Sequence, residues 1–88
     1  MSLEDFRNKI DKIDSDILSL ISDRFSVVED MAEYKKHHKI PIIDVKYDEE
    51  SLKKRISIAK AKKLDEAFAE RVFKDIFEES KRIQRQIF

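Results

Sequence analysis

The 88-residue chain contains no glycine, no cysteine and no tryptophan, and it has a single proline. At ~7% average usage, about six glycines would be expected in a chain this long. Their absence excludes the phosphate-cradling loops of P-loop and dinucleotide-binding proteins, whose backbone needs glycine. It also argues against two-residue β-hairpin turns, which want positive φ. Without cysteine there are no disulfides and no thiolate metal site. Two adjacent histidines, His37 and His38, are too few for a structural zinc site, so no metal site is expected.

Long apolar runs are missing too. No segment approaches the roughly 18 residues of a membrane span. The first turns alternate charge with apolar groups, unlike a secretory signal, so the expected location is cytoplasmic. An excess of one charge is also lacking: 19 Lys and Arg balance 19 Asp and Glu. A neutral domain has no simple electrostatic case for binding nucleic acid.

What remains is a chain of 43% charged and 41% hydrophobic residues. It reads as one all-α domain, residues 1–88, with no repeat and no linker. The only break signal is Ile40-Pro41, because proline blocks a helix and biases its predecessor toward extended geometry. Three helices are expected, over about residues 3–37, 45–62 and 65–87. Asp44 is placed to cap the second and Asp65 the third.

The first segment carries a heptad row: Leu3, Phe6, Ile10, Ile13, Ile17, Leu20, Val27, Met31 and Tyr34. Such a row is a helix-pairing seam. A helix of about 35 residues spans roughly 50 Å, whereas a compact chain of this length has a radius of gyration of about 12 Å. It must bend back or pair with a second copy, and the expectation is a homodimer. A folded chain of this mass should also expose only about 5,400 Å², a marginal core for one so rich in charge. The second helix offers a thin stripe of Leu52, Ile56, Ile58 and Ala59. The third offers Phe68, Val72, Phe73, Ile76, Phe77, Ile83 and Ile87.

Polar residues on these stripes need a reason. Arg24 stands in the heptad row where an apolar residue belongs. It fixes register or pairs with a neighbouring Glu or Asp, or it faces an internal cavity and binds an anion, since a buried unpaired guanidinium is costly. Lys35 follows 11 residues later, with a direction differing by only about 20° and a rise of roughly 16 Å, so both could line one elongated pocket. Ser80 and Gln84 share a face of the third helix. They could add a hydroxyl and an amide to that space, or mark a wet helix end. Arg7 lies roughly 25 Å from Arg24 along the same helix, out of reach of a shared small ligand except through an antiparallel partner. Asp44 and Asp48 form an i, i+4 carboxylate pair that the helix dipole alone would justify. The run Lys35-Lys36-His37-His38-Lys39 reads as a solvated turn.

Taken together, these residues resemble the all-helical chorismate mutases over nearly the whole chain. The resemblance rests on Arg7 in Phe-Arg-Asn-Lys-Ile-Asp-Lys-Ile-Asp, on Ser-Asp-Arg24, and on Lys35. It continues through Pro41 and Asp44 in Ile-Pro-Ile-Ile-Asp, to Ser80 and Gln84 in Ser-Lys-Arg-Ile-Gln. It implies an intertwined homodimer of three-helix chains, with the long first helices packed together. It also implies a cofactor-free rearrangement of chorismate to prephenate in aromatic amino acid (Phe/Tyr) biosynthesis. In that resemblance Arg24 holds a substrate carboxylate and Arg7 is donated across the interface. Lys35 and Gln84 hydrogen-bond the ether oxygen, Asp44 and Asp48 lie near the ring hydroxyl, and Ser80 contacts a carboxylate. Where the family has Arg followed by Glu early in the second helix, this chain has Tyr47 and Asp48. Lys46 is adjacent but points about 100° away. The alternatives are an isochorismate pyruvate lyase-like enzyme on the same fold and a non-catalytic helical dimerisation or regulatory module.

Overall fold

A computed structural model describes all residues, 1–88, as three helices: α1 (Leu3–His37), α2 (Val45–Ala61) and α3 (Glu66–Ile87). Each begins on a side-chain cap that satisfies otherwise orphaned amides. Ser2 and Asp5 form a reciprocal capping box on α1. Asp44 accepts from the Tyr47 amide and Asp65 from the Phe68 amide, at 3.0 and 2.9 Å. The helix boundaries agree with the sequence expectation to within one residue.

The helix ends solve the glycine problem in a way composition does not reveal. Lys39 (φ 54°) and Lys63 (φ 60°) take the left-handed conformation usually left to glycine. At the end of α1, the Ile40 amide bonds the Lys35 carbonyl and the Lys39 amide bonds that of Lys36. At the end of α2, Leu64 bonds Ala59 and Lys63 bonds Lys60 in the same pattern. Both are Schellman turns, whose bonds offset a left-handed cost of about 1–2 kcal/mol for a residue with a Cβ.

The molecule is long, measuring 55 × 24 × 15 Å, and α1 runs straight along it. Its radius of gyration is 16.2 Å, well beyond the ~12 Å of a compact chain this size. α3 packs against both α1 and α2, whereas α1 and α2 make no close backbone approach to each other. Only seven of the 88 residues are buried, the apolar ones being Val28, Ala32, Ala59 and Ala69. Small side chains let the helices approach closely, but they bury little area.

The face of α1 turned toward α3 is not the heptad row. Val28 and Ala32 are buried, and Ile21 and Phe25 half-buried beside them. The row itself stays on the surface: Phe6, Ile10, Ile13, Ile17, Leu20 and Val27 are each about half or more exposed. Two further members of the expected stripes, Ile58 and Phe68, are also exposed. The surface totals 7,198 Å², roughly 1,800 Å² above the value expected for a self-contained chain of this mass.

Candidate active site

Because α1 and α2 are held apart, a gap remains between them, floored by α3. It is a cavity of about 520 Å³, within the ~300–1,000 Å³ range of small-molecule sites. Arg24 and Lys35 enter from α1, and Asp44, Tyr47, Asp48, Ser51 and Arg55 from the start of α2 and its cap. Phe77, Ser80, Lys81 and Gln84 rise from α3. The Schellman turn after α1 carries Ile40, Pro41 and Ile42 over one end.

Each polar group is positioned by its neighbours. Arg24 donates from Nη1 to Ser80 Oγ at 2.5 Å, and its guanidinium lies 5.5 Å from the centre of the Phe77 ring. Ser80 Oγ in turn donates to the Ile76 carbonyl at 2.9 Å. The serine proton is thus committed to its own helix, and the oxygen is presented to Arg24. Lys35 Nζ donates to the Ile42 carbonyl and to Gln84 Oε1, both at 3.1 Å. That uses two of its three N–H groups. Gln84 is 4% exposed. Its Oε1 is taken by Lys35, no side-chain polar atom is buried without a partner, and so its Nε2 opens on the cavity. Lys35 thus keeps one ammonium hydrogen, and Gln84 its amide, free of protein acceptors beside the same cavity.

The electrostatics are one-sided. The lining contains four cations, Arg24, Lys35, Arg55 and Lys81, against two carboxylates, Asp44 and Asp48. Asp48 is engaged by Lys81 at 3.4 Å, and Asp44 caps α2. Arg24, Lys35 and Arg55 have no carboxylate partner. Desolvation lowers the pKa of Arg24, and the charge of Arg55 lowers it further. Arginine nonetheless remains cationic at any ordinary pH. A half-buried cluster of uncompensated charge is a standing attraction for an anion.

The structure brings together Arg24, Lys35, Asp44, Asp48, Ser80 and Gln84. The wet-end reading of Ser80 and Gln84 is overturned, since both are buried. Within the chain Arg24 has no neighbouring Glu or Asp as a partner, so the pairing reading fails. Arg7 does not join them: it is exposed near the far end of α1. His37 and His38 lie outside the cavity, with His38 stacked on Tyr34 at 4.0 Å. Sequence reasoning passes over Lys81 and Arg55. Arg55 looks solvated after Lys53 and Lys54, yet Leu52, Arg55, Ile56 and Ala59 share helical spacing, the same signal that singles out Arg24. No group of three or more His, Cys, Asp or Glu is arranged to hold a metal ion, and no helix is long and apolar enough to cross a membrane.

Fold and cavity together define an all-helical protein with a cation-rich cavity of small-molecule size, lined by side chains instead of backbone loops. Residues 6–85 match the chorismate mutase type II family. The chain is 34% identical over 84 residues to a chorismate mutase of Methanocaldococcus jannaschii, covering 96% of this chain and 85% of that one. It is 32% identical over 82 residues to a bifunctional chorismate mutase/prephenate dehydratase of Buchnera aphidicola, covering 93% of this chain and 21% of that one. The chain belongs to the chorismate mutase family.

Proposed function

We propose that this cavity rearranges chorismate to prephenate, the step that commits carbon to phenylalanine and tyrosine. The observation that carries the reading is the charge of the cavity. Four cations against two carboxylates leave two positive charges uncompensated, which matches a compact dicarboxylate.

The reaction is a concerted rearrangement. The carbon–oxygen bond of the enolpyruvyl ether breaks as a carbon–carbon bond forms across the ring. No proton moves and no covalent intermediate is needed. As the bond breaks, negative charge gathers on the ether oxygen. The free hydrogen of Lys35 Nζ and the Nε2 amide of Gln84 meet that oxygen, and their geometry is already fixed by the 3.1 Å bond between them. Preorganised donors of this kind favour the transition state over the substrate. Arg24, steadied by Ser80 and Phe77, takes one substrate carboxylate through its planar fork. Holding the side chain folded over the ring removes conformational freedom before the reaction. Asp48 and Asp44 accept from the ring hydroxyl.

The second carboxylate calls for a second copy of the chain. The exposed apolar row of α1, together with the excess surface of roughly 1,800 Å², suits an obligate homodimer, in which each partner buries about 1,000–2,500 Å². In an antiparallel pairing of the long helices, the partner's Arg7 reaches the cavity that contains Arg24. The test of the activity is the loss of chorismate ultraviolet absorbance, with isochorismate run in parallel. Chorismate consumption with formation of prephenate is expected. No turnover at high enzyme concentration would sink the reading, and turnover of isochorismate alone would replace it with pyruvate elimination.

A further inference from the structure

Of the three cavity cations without a carboxylate partner, Arg24, Lys35 and Arg55, only Arg55 has no individual role in the reading above. It stands on α2 two turns beyond Tyr47 and one turn beyond Ser51, and all three line the cavity. Ser51 is buried at 5% exposure. The Arg55 side chain folds back over it toward the helix N-terminus, its Nη1 lying 3.4 Å from the Ser51 carbonyl. A small residue at 51 leaves room for the guanidinium above that turn. The remaining N–H groups of Arg55 find no protein acceptor, and none of its polar atoms is sealed away from solvent. They therefore open on the cavity.

Elsewhere the chain pairs cations with carboxylates: Lys74 with Glu70, Lys81 with Asp48 and Glu78, Arg82 with Glu79. Arg24 and Arg55 are left with neutral acceptors only, and they face one another closely enough for their charges to interact. Two half-buried guanidinium groups sharing one space repel each other until an anion bridges them. A carboxylate has two oxygens, and each can accept from one fork.

We propose that Arg55 is a substrate-binding residue, closing with Arg24 on a single carboxylate of the bound dicarboxylate. The inference rests on the chorismate reading and adds to it the group that completes the carboxylate clamp from the α2 side. Arg55 lies on the opposite wall from Lys35, so it holds substrate and transition state alike and acts on affinity more than on the chemical step.

The test is steady-state kinetics with chorismate for Arg55→Ala, Arg55→Met and Arg55→Lys. A charge-assisted hydrogen bond contributes about one to two orders of magnitude to binding. Arg55→Ala should therefore raise KM about ten- to a hundredfold, with kcat held within about threefold. Arg55→Met keeps the apolar stem and removes the charge, and it should match the alanine variant. Arg55→Lys should fall between these and the parent chain. Adding Tyr47→Arg to Arg55→Ala returns a cation to the same cavity and should recover part of the lost affinity. An unchanged KM in folded Arg55→Ala and Arg55→Met, beside normal turnover by the parent chain, overturns this assignment alone. A lower melting temperature and lower kcat with KM unchanged also overturn it, since the role is then structural. Absence of turnover in the parent chain instead overturns the function reading on which the assignment rests.

Discussion

Replacing Lys35 with alanine probes the mechanism most directly. The lysine makes two hydrogen bonds, to the Ile42 carbonyl and to Gln84 Oε1, both at 3.1 Å. Its remaining hydrogen is the one that the proposed mechanism assigns to the breaking bond. Losing the two structural bonds costs at most about 2 kcal/mol, because both acceptors border an open cavity where water can replace the ammonium. The turn itself survives, since the Ile40 amide bonds the Lys35 backbone carbonyl at 2.8 Å and does not depend on the side chain. The effect on rate is larger. Removing one preorganised donor from a developing oxyanion costs about 10²–10³ in kcat, or roughly 2.7–4 kcal/mol. A cationic donor in a partly desolvated site belongs at the upper end of that range or beyond it. Lys35→Ala should therefore remain helical by circular dichroism while its chorismate-consumption rate drops by at least two orders of magnitude. A folded Lys35→Ala protein whose kcat falls less than about tenfold would refute the oxyanion argument.

Further outcomes follow from the proposed homodimer and from the start of α1. Arg7→Ala and Arg24→Ala homodimers should each be nearly inactive. Mixing the unfolded chains and refolding them should restore about a quarter of normal activity, because half the dimers are mixed and each holds one intact site. A folded monomer of 10.5 kDa in sedimentation equilibrium would remove the role given to Arg7. At the start of α1, hydrogen bonds from the Ser2 backbone amide and hydroxyl hold the Asp5 carboxylate below its usual range. A depressed carboxylate contributes stability that is full above its unfolded pKa of about 3.9 and lost as pH falls through the folded value. Amide exchange in the first turn should thus accelerate only below about pH 4, and Asp5→Asn should abolish that acid-side dependence; identical profiles for the two proteins would count against the capping box.

The sequence alone determined the three helices, their limits and the aspartate caps of the second and third, because these rest on local rules. Ser, Asp and Pro act within a turn of where they stand, and a gap in hydrophobic spacing is visible without knowing what it faces. The same locality made Arg24, Ser80 and Gln84 visible as polar residues on apolar spacing, and Lys35 through its 11-residue offset from Arg24. The lysines at Lys39 and Lys63 in left-handed turns lay beyond composition, which could report only that glycine was missing. The heptad row of α1 was legible as a seam, but not as a face turned away from α3. That depends on which neighbouring row is buried when α1 packs on α3, and it is the one carrying Val28 and Ala32. The cavity is likewise a product of assembly. It exists because α3 packs on α1 and α2 while holding them apart, so residues 56 positions apart, such as Arg24 and Ser80, come within hydrogen-bond distance. Arg55 and Lys81 drew no attention in the sequence, because charge on a helix surface is the ordinary case. Only the rotation of α2 and α3 about their own axes, decided by long-range packing, turns those two side chains toward the cavity.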